Sequence, residues 1–179
     1  MGMFSIDVEN FEWINGSKDD PHDLCLHGDA IVHIGDVKLE YKATVSATAL
    51  YLLKTLTENH IKGKDNQMLP HCGFFFVPND ALDNVSIIGC NDGIDWSVMH
   101  DGDNVILELD DGTKETVAIE DYKKVVYDFA DKVEEFYNSC SPKVLPKDEY
   151  ERAGYLAFWN EWHRRRNESS FCSPFDKKV

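Results

Sequence analysis

Three side chains with soft ligand atoms are the first candidates for chemistry in this sequence. His71 and Cys72 are adjacent, and Cys90 lies at the end of a later apolar segment. Thiolate sulfur and imidazole nitrogen are ligands of zinc, and a thiol beside an imidazole can act as a nucleophile. His60 and His100 would join this group if the fold brought them close.

Three arguments speak against both kinds of site. Zinc ligands usually occur in pairs at short spacing, whereas here only His71 and Cys72 are adjacent. Neighbouring residues of a strand point to opposite faces. No third orienting group or oxyanion motif accompanies Cys90. The sequence therefore predicts no metal and no cofactor, and buried, satisfied Cys and His side chains at these positions.

Asp92 and Asp95 lie beside Trp96 in a turn-rich segment. Carboxylates against an apolar wall can have a tuned proton affinity. A small hydrolase or ligand-binding enzyme, with a pocket formed by Asp92, Asp95, His71 and Cys72, is therefore one functional hypothesis. The alternative is a tight turn between two strands, with Trp96 in the core. Walker, GxGxxG, GxSxG and HExxH motifs are missing, which favours a protein that is not an enzyme.

A run of aromatic residues near the C-terminus shares one helical face. This face holds Tyr155, Phe158, Trp159 and Trp162, and three arginines follow. Trp, Tyr and Arg dominate protein-binding hot spots, and the same residues can stack nucleic-acid bases. The alternative is a face packed in the core, followed by arginines that match the helix dipole.

The net charge favours a basic protein partner. The chain has 33 acidic and 18 basic residues, a formal charge of −15, and residues 1–146 hold 27 of the acids and 11 of the bases. Such a body repels nucleic acids and anionic membranes and attracts cationic surfaces. The predicted binding residues are Asp92, Asp95, Trp96, Asp101, Asp103, Trp159 and Trp162.

The apolar periodicity predicts the elements that must position these residues. It indicates one α+β domain in residues 1–166 and a polar, frayed tail in 167–179. Closely spaced turn signals predict an antiparallel sheet of about six to eight strands. Helices are expected at 46–61, 120–138 and 147–165, the last two consecutive at the C-terminus, and all three are expected to pack mainly on one face of the sheet.

The cysteines and the N-terminus indicate a reducing compartment. There are five cysteines, an odd number at wide spacing without a CxxC pair, which is not a disulfide framework. No signal peptide and no apolar run long enough to cross a membrane is found. We therefore expect a cytoplasmic protein.

Three segments of the chain resemble an uncharacterised bacterial family: residues 89–98, 129–137 and 154–163. In its small size, its negative charge and its α+β class, the chain is similar to the immunity proteins of bacterial polymorphic-toxin systems. The resemblance implies a binder that neutralises a toxin domain, often a basic nuclease. It carries over no functional residue and implies no catalytic group.

Overall fold

Three helices and ten short strands make up the fold in the computed structural model, which describes residues 3–73 and 75–168. The strands are β1 Phe4–Glu12, β2 His27–Ile34, β3 Val37–Ala43, β4 Leu69–Pro70, β5 Phe75–Pro78, β6 Val85–Ile88, β7 Gly93–Ile94, β8 Ser97–Asp101, β9 Asn104–Glu108 and β10 Lys114–Ala118. The helices are α1 Val45–Lys54, α2 Ile119–Ser139 and α3 Glu149–Glu168.

The α+β class, the antiparallel pairing and the three helices are confirmed, but the single sheet is wrong. The strands form two three-stranded sheets, β1-β2-β3 and β10-β9-β8, and two pairs, β4-β7 and β5-β6. Strands β4 and β7 have two residues each, and prolines end β4 and β5. Because proline cannot donate a ladder hydrogen bond, these strands do not extend into one continuous sheet.

Helix α1 is the central element of the core, and every residue from Val45 to Leu53 is buried. It was expected over 46–61 but ends at Lys54. His60 instead forms a two-way backbone bridge with Val98 of β8. Pairing with a distant strand thus draws the chain away from the helix axis, and tertiary contacts override the local periodicity.

Helix α2 matches its prediction closely. Its buried face carries Tyr122, Val126, Phe129, Val133 and Tyr137, at the three- and four-residue spacing of an amphipathic helix. This face packs against α1 and β1.

Helix α3 extends through Glu168, so residues 167 and 168 belong to the helix and not to a tail. The remaining tail residues, 169–179, lie outside the described residues. Within the described part of the chain, no helix combines the length and apolarity needed to cross a membrane.

Candidate functional site

His71, Cys72 and Cys90 come together at the surface of the protein. One ligand atom from each lies within 4.8 Å of the other two. Cys90 Sγ is 3.7 Å from His71 Nδ1, and the Cys90 backbone N–H donates to Cys72 Sγ at 2.8 Å. His71 is exposed, and the two cysteines are partly buried. We call these three residues the Cys–His cluster.

Backbone hydrogen bonds hold the two segments that carry the Cys–His cluster. The His71 N–H donates to the Asp92 carbonyl at 2.9 Å, which continues the β4–β7 pairing past its end. On the other side, Thr44 donates its N–H to the Pro70 carbonyl and its hydroxyl to the His71 carbonyl. The segment before Cys72 is thereby anchored to the start of α1.

Gly89 permits the close approach of the second segment. A Cβ atom at this position would lie 1.8 Å from the Cys72 carbonyl oxygen, well inside van der Waals contact. Only glycine allows the backbone at position 89 to approach the Cys72 carbonyl so closely, and this approach places Cys90 beside Cys72.

The argument from strand alternation does not apply to this cluster. His71 and Cys72 follow β4 and precede β5, outside either strand. In this irregular segment the backbone does not impose the two-residue alternation of a pleated strand. The sequence shows the residue types but contains no signal for the conformation of the segment.

The two thiols of the cluster differ in acidity. The pKa of Cys90 is lowered to about 7, mainly because its thiolate accepts a hydrogen bond from the Cys72 thiol and another from the Asp92 backbone. The pKa of Cys72 is raised because its thiol is the donor in the same hydrogen bond, and burial adds to the effect. Cys90 is therefore the thiolate of the pair near neutral pH.

Asp95 and Trp96 belong to the internal framework. Asp95 Oδ1 is 2.7 Å from His60 Nε2 and accepts the Met68 N–H at 3.1 Å. Trp96 is fully buried, and its indole N–H has no partner among the described residues. Trp96 thus lies in the core, as the turn interpretation expects, and presents no side-chain surface to a partner.

The four side chains of the enzymatic hypothesis are not gathered into one pocket. Asp92 lies opposite His71, whereas Asp95 lies at the other end of β7, opposite Met68. The shallow pocket that Asp95 lines contains neither His71 nor Cys72.

The predicted acidic binding residues are divided between two places. Asp92 is exposed near the Cys–His cluster, and Asp101 and Asp103 are exposed at the turn between β8 and β9. Asp95 precedes β8 by two residues and Asp101 ends it, so the two lie up to about 20 Å apart at the usual rise of an extended chain. The fold therefore does not present a single flat contact surface centred on Trp96.

The aromatic face of α3 packs into the core. Phe158 and Trp162 are fully buried, and Trp159 is partly buried against Tyr137 and Phe158. The helix-end arginine Arg166 binds Asp131 with two hydrogen bonds of 2.8 Å. The core interpretation of this face is the one the structure supports.

A buried charge network on α3 was missed by sequence reasoning. Glu161 is 0% exposed and accepts the Val85 N–H at 2.7 Å and Arg165 Nε at 2.8 Å, with Lys54 Nζ at 3.3 Å. Arg165 also binds Glu58. Glu161 and Arg165 are four residues apart, which signals a helix-surface ion pair but not its burial.

No model of a known protein family matches this chain, and comparisons with curated proteins and with solved structures find no significant similarity. The arrangement of side chains therefore carries the functional argument. Two thiols and an imidazole at one point suit a thiophilic metal ion, and exposed carboxylates elsewhere suit a cationic surface.

Proposed function

We propose that the protein is an acidic protein-binding module of a reducing compartment, an immunity-type inhibitor that engages a basic toxin or nuclease domain. The observation that carries the proposal is a group of exposed carboxylates at one end of the fold: Asp101, Asp103, Glu120 and Asp121. We call this group the acidic end. None of these carboxylates has a hydrogen bond or an ion pair with a described residue.

One backbone contact assembles the acidic end. The Asp103 carbonyl accepts the Ile119 N–H at 2.9 Å, so α2 begins beside the β8–β9 turn. Glu120 and Asp121 occupy the first turn of α2, where the helix dipole favours negative charge. Four like charges close together repel one another, and a cationic partner relieves that repulsion.

Most of the lysine side chains that the structure describes already contact oxygen atoms of the protein itself. Lysines that contact a carboxylate or a carbonyl oxygen within the described residues include Lys18, Lys38, Lys42, Lys54, Lys62, Lys114, Lys132 and Lys143. The surplus of acids is thus left facing solvent. Electrostatic complementarity of this kind accelerates and orients the encounter with a basic surface.

The test is charge reversal at the acidic end, with a matched control. The wild-type chain first captures its partner from a lysate of the source organism at low salt, and mass spectrometry identifies that partner. Asp101→Lys with Asp103→Lys should then weaken the measured affinity at least about tenfold, or 1.4 kcal/mol. The control is Asp128→Lys with Glu135→Lys, which makes the same charge change at exposed positions of α2 whose carboxylates have no hydrogen bond or ion pair with a described residue.

The two variants distinguish a site from bulk charge. A loss confined to the first variant supports the proposal. Equal losses in both would show that only net charge acts, and an unchanged affinity in the first variant would show that the partner binds elsewhere. A captured protein that is not basic would contradict the electrostatic argument.

A further inference from the structure

The Cys–His cluster has the composition and the dimensions of a metal site, independently of the acidic end. In tetrahedral zinc sites the metal lies about 2.3 Å from sulfur and 2.0–2.1 Å from nitrogen. These lengths place a sulfur and a nitrogen ligand about 3.6 Å apart, and two sulfur ligands about 3.8 Å apart. Cys90 Sγ and His71 Nδ1 are 3.7 Å apart, and all three ligand atoms lie within 4.8 Å of one another.

We propose that His71, Cys72 and Cys90 bind one Zn²⁺ ion through Nδ1 and two thiolate sulfurs, with the fourth coordination position open to solvent. Two thiolates balance the charge of the ion, and sulfur with imidazole nitrogen is the donor set that zinc favours. Three protein ligands and one open position are the arrangement of zinc sites that bind an exchangeable water or ligand.

The surrounding backbone prepares the site for the ion. The Cys90 N–H bond to Cys72 Sγ, at 2.8 Å, is an outer-shell contact that orients a coordinating sulfur. The His71 and Thr44 hydrogen bonds hold the other segment, and Gly89 keeps the two segments in contact. Binding therefore needs small side-chain rotations and no rearrangement of the chain.

The imidazole adds a third donor atom to the two sulfurs. A disulfide between Cys72 and Cys90 would join the two sulfur atoms alone, without His71 Nδ1 as a bonding partner. A zinc ion uses all three groups. Asp92, whose backbone carbonyl accepts the His71 N–H at 2.9 Å, is exposed beside the site, and its carboxylate adds negative charge that attracts a cation.

Zinc binding to the reduced, metal-free chain tests the proposal. Competition with a chromophoric chelator measures affinity, and elemental analysis after desalting measures stoichiometry. We expect one Zn²⁺ per chain. Cys72→Ser, Cys90→Ser and His71→Ala should each weaken binding by more than the roughly 100-fold that loss of an outer-shell partner causes.

Matched controls come from residues of the same types outside the cluster. Cys140→Ser removes a partly buried thiol that binds the Lys18 carbonyl, and His33→Ala removes an imidazole on β2. Both should bind zinc as the wild type does. Co²⁺ in place of Zn²⁺ should give sulfur-to-metal charge-transfer absorption in the wild type and reduced absorption in Cys72→Ser.

Thermal unfolding is the control that shows whether each variant is folded. The cluster variants should unfold at about the wild-type temperature without zinc, and zinc should raise that temperature only in chains that keep the cluster. Absence of binding to a folded wild-type chain, or stoichiometric binding that the cluster variants retain, would overturn the proposal. Asp101→Lys with Asp103→Lys should bind zinc normally, so failure of one proposal leaves the other standing.

Discussion

Two groups of ionisable side chains in this protein use their polar atoms in opposite ways. Around Glu161, both carboxylate oxygens are engaged, by a backbone N–H and by cations from α1 and α3. In the Cys–His cluster, the sulfur and nitrogen atoms contact one another, and His71 faces solvent. The first group lies in the interior and the second at the surface.

The difference separates a structural role from a binding role. A buried charge must find its partners within the fold, because unpaired burial costs several kcal/mol. The partners of Glu161 are therefore complete and leave no position for a ligand. The exposed imidazole and the partly buried thiols of the Cys–His cluster carry a much smaller penalty, so their convergence is not required by folding and leaves lone pairs available for an ion. The predictions below test that contrast.

The largest expected effect is loss of stability on Glu161→Ala. This change leaves Lys54 and Arg165 without their shared carboxylate and the Val85 N–H without its acceptor. Removing one partner of a buried ion pair costs about 3–5 kcal/mol. Urea unfolding measures the loss. Glu135→Ala, at an exposed position of α2, should change the free energy of unfolding by no more than about 0.5 kcal/mol, and equal losses in the two variants would refute the structural role.

An intermediate effect is expected for Gly89→Ala. The new methyl group meets the Cys72 carbonyl oxygen, so the two segments must separate, at a cost of about 1–3 kcal/mol for an overpacked contact. Zinc affinity should fall with the separation of Cys72 from Cys90. Asn91→Ala, an exposed position in the same segment, is the control for both readouts. Wild-type stability and zinc binding in Gly89→Ala would show that the close approach is not needed.

The smallest effect concerns reactivity and leaves stability unchanged. In the metal-free chain, iodoacetamide at pH 7 should label Cys90 ahead of Cys25. A pKa of about 7 makes about half of Cys90 thiolate at that pH, whereas burial raises the pKa of Cys25 and shields it. The labelling rate of Cys90 should rise as pH passes through 7 and level off above it.

The hydrogen bond from Cys72 supplies the internal control for this profile. Because that bond is the largest cause of the lowered pKa, Cys72→Ala, which removes the donor, should move the labelling profile of Cys90 to higher pH. Mass spectrometry of the peptides follows each thiol separately. A Cys90 profile like that of a thiol in the unfolded chain would contradict the lowered pKa.

The elements with regular apolar patterns were predictable from sequence. The hairpin of β2 and β3 turns at Gly35 and Asp36, a residue pair typical of a two-residue hairpin turn between alternating segments, and α2 has its buried stripe at helical spacing. The end of α1 was not predictable, because the bridge of His60 to Val98 joins residues 38 positions apart. The division into small sheets follows from pairings that a run of strand-like segments does not specify.

The candidate sites show the same division. The sequence identified His71, Cys72 and Cys90 as ligand types but argued against them from strand geometry that these residues do not adopt. It proposed Trp96 and Trp162 as contact residues, but both lie in the core. Aromatic residues on a helix or strand are equally suited to a core and to an interface, and only the packing of neighbouring elements distinguishes the two.

By itself the sequence determined the α+β class, the position of α2, the hairpin and the large negative charge. These properties depend on local periodicity, turn chemistry and a sum of charges, and none needs a distant contact. Tertiary structure alone decided that Cys90 meets Cys72, 18 residues earlier, and that Glu161 caps the N–H of Val85, 76 residues earlier. Such contacts depend on the path of every intervening turn, and pairing and packing of the whole chain determine that path.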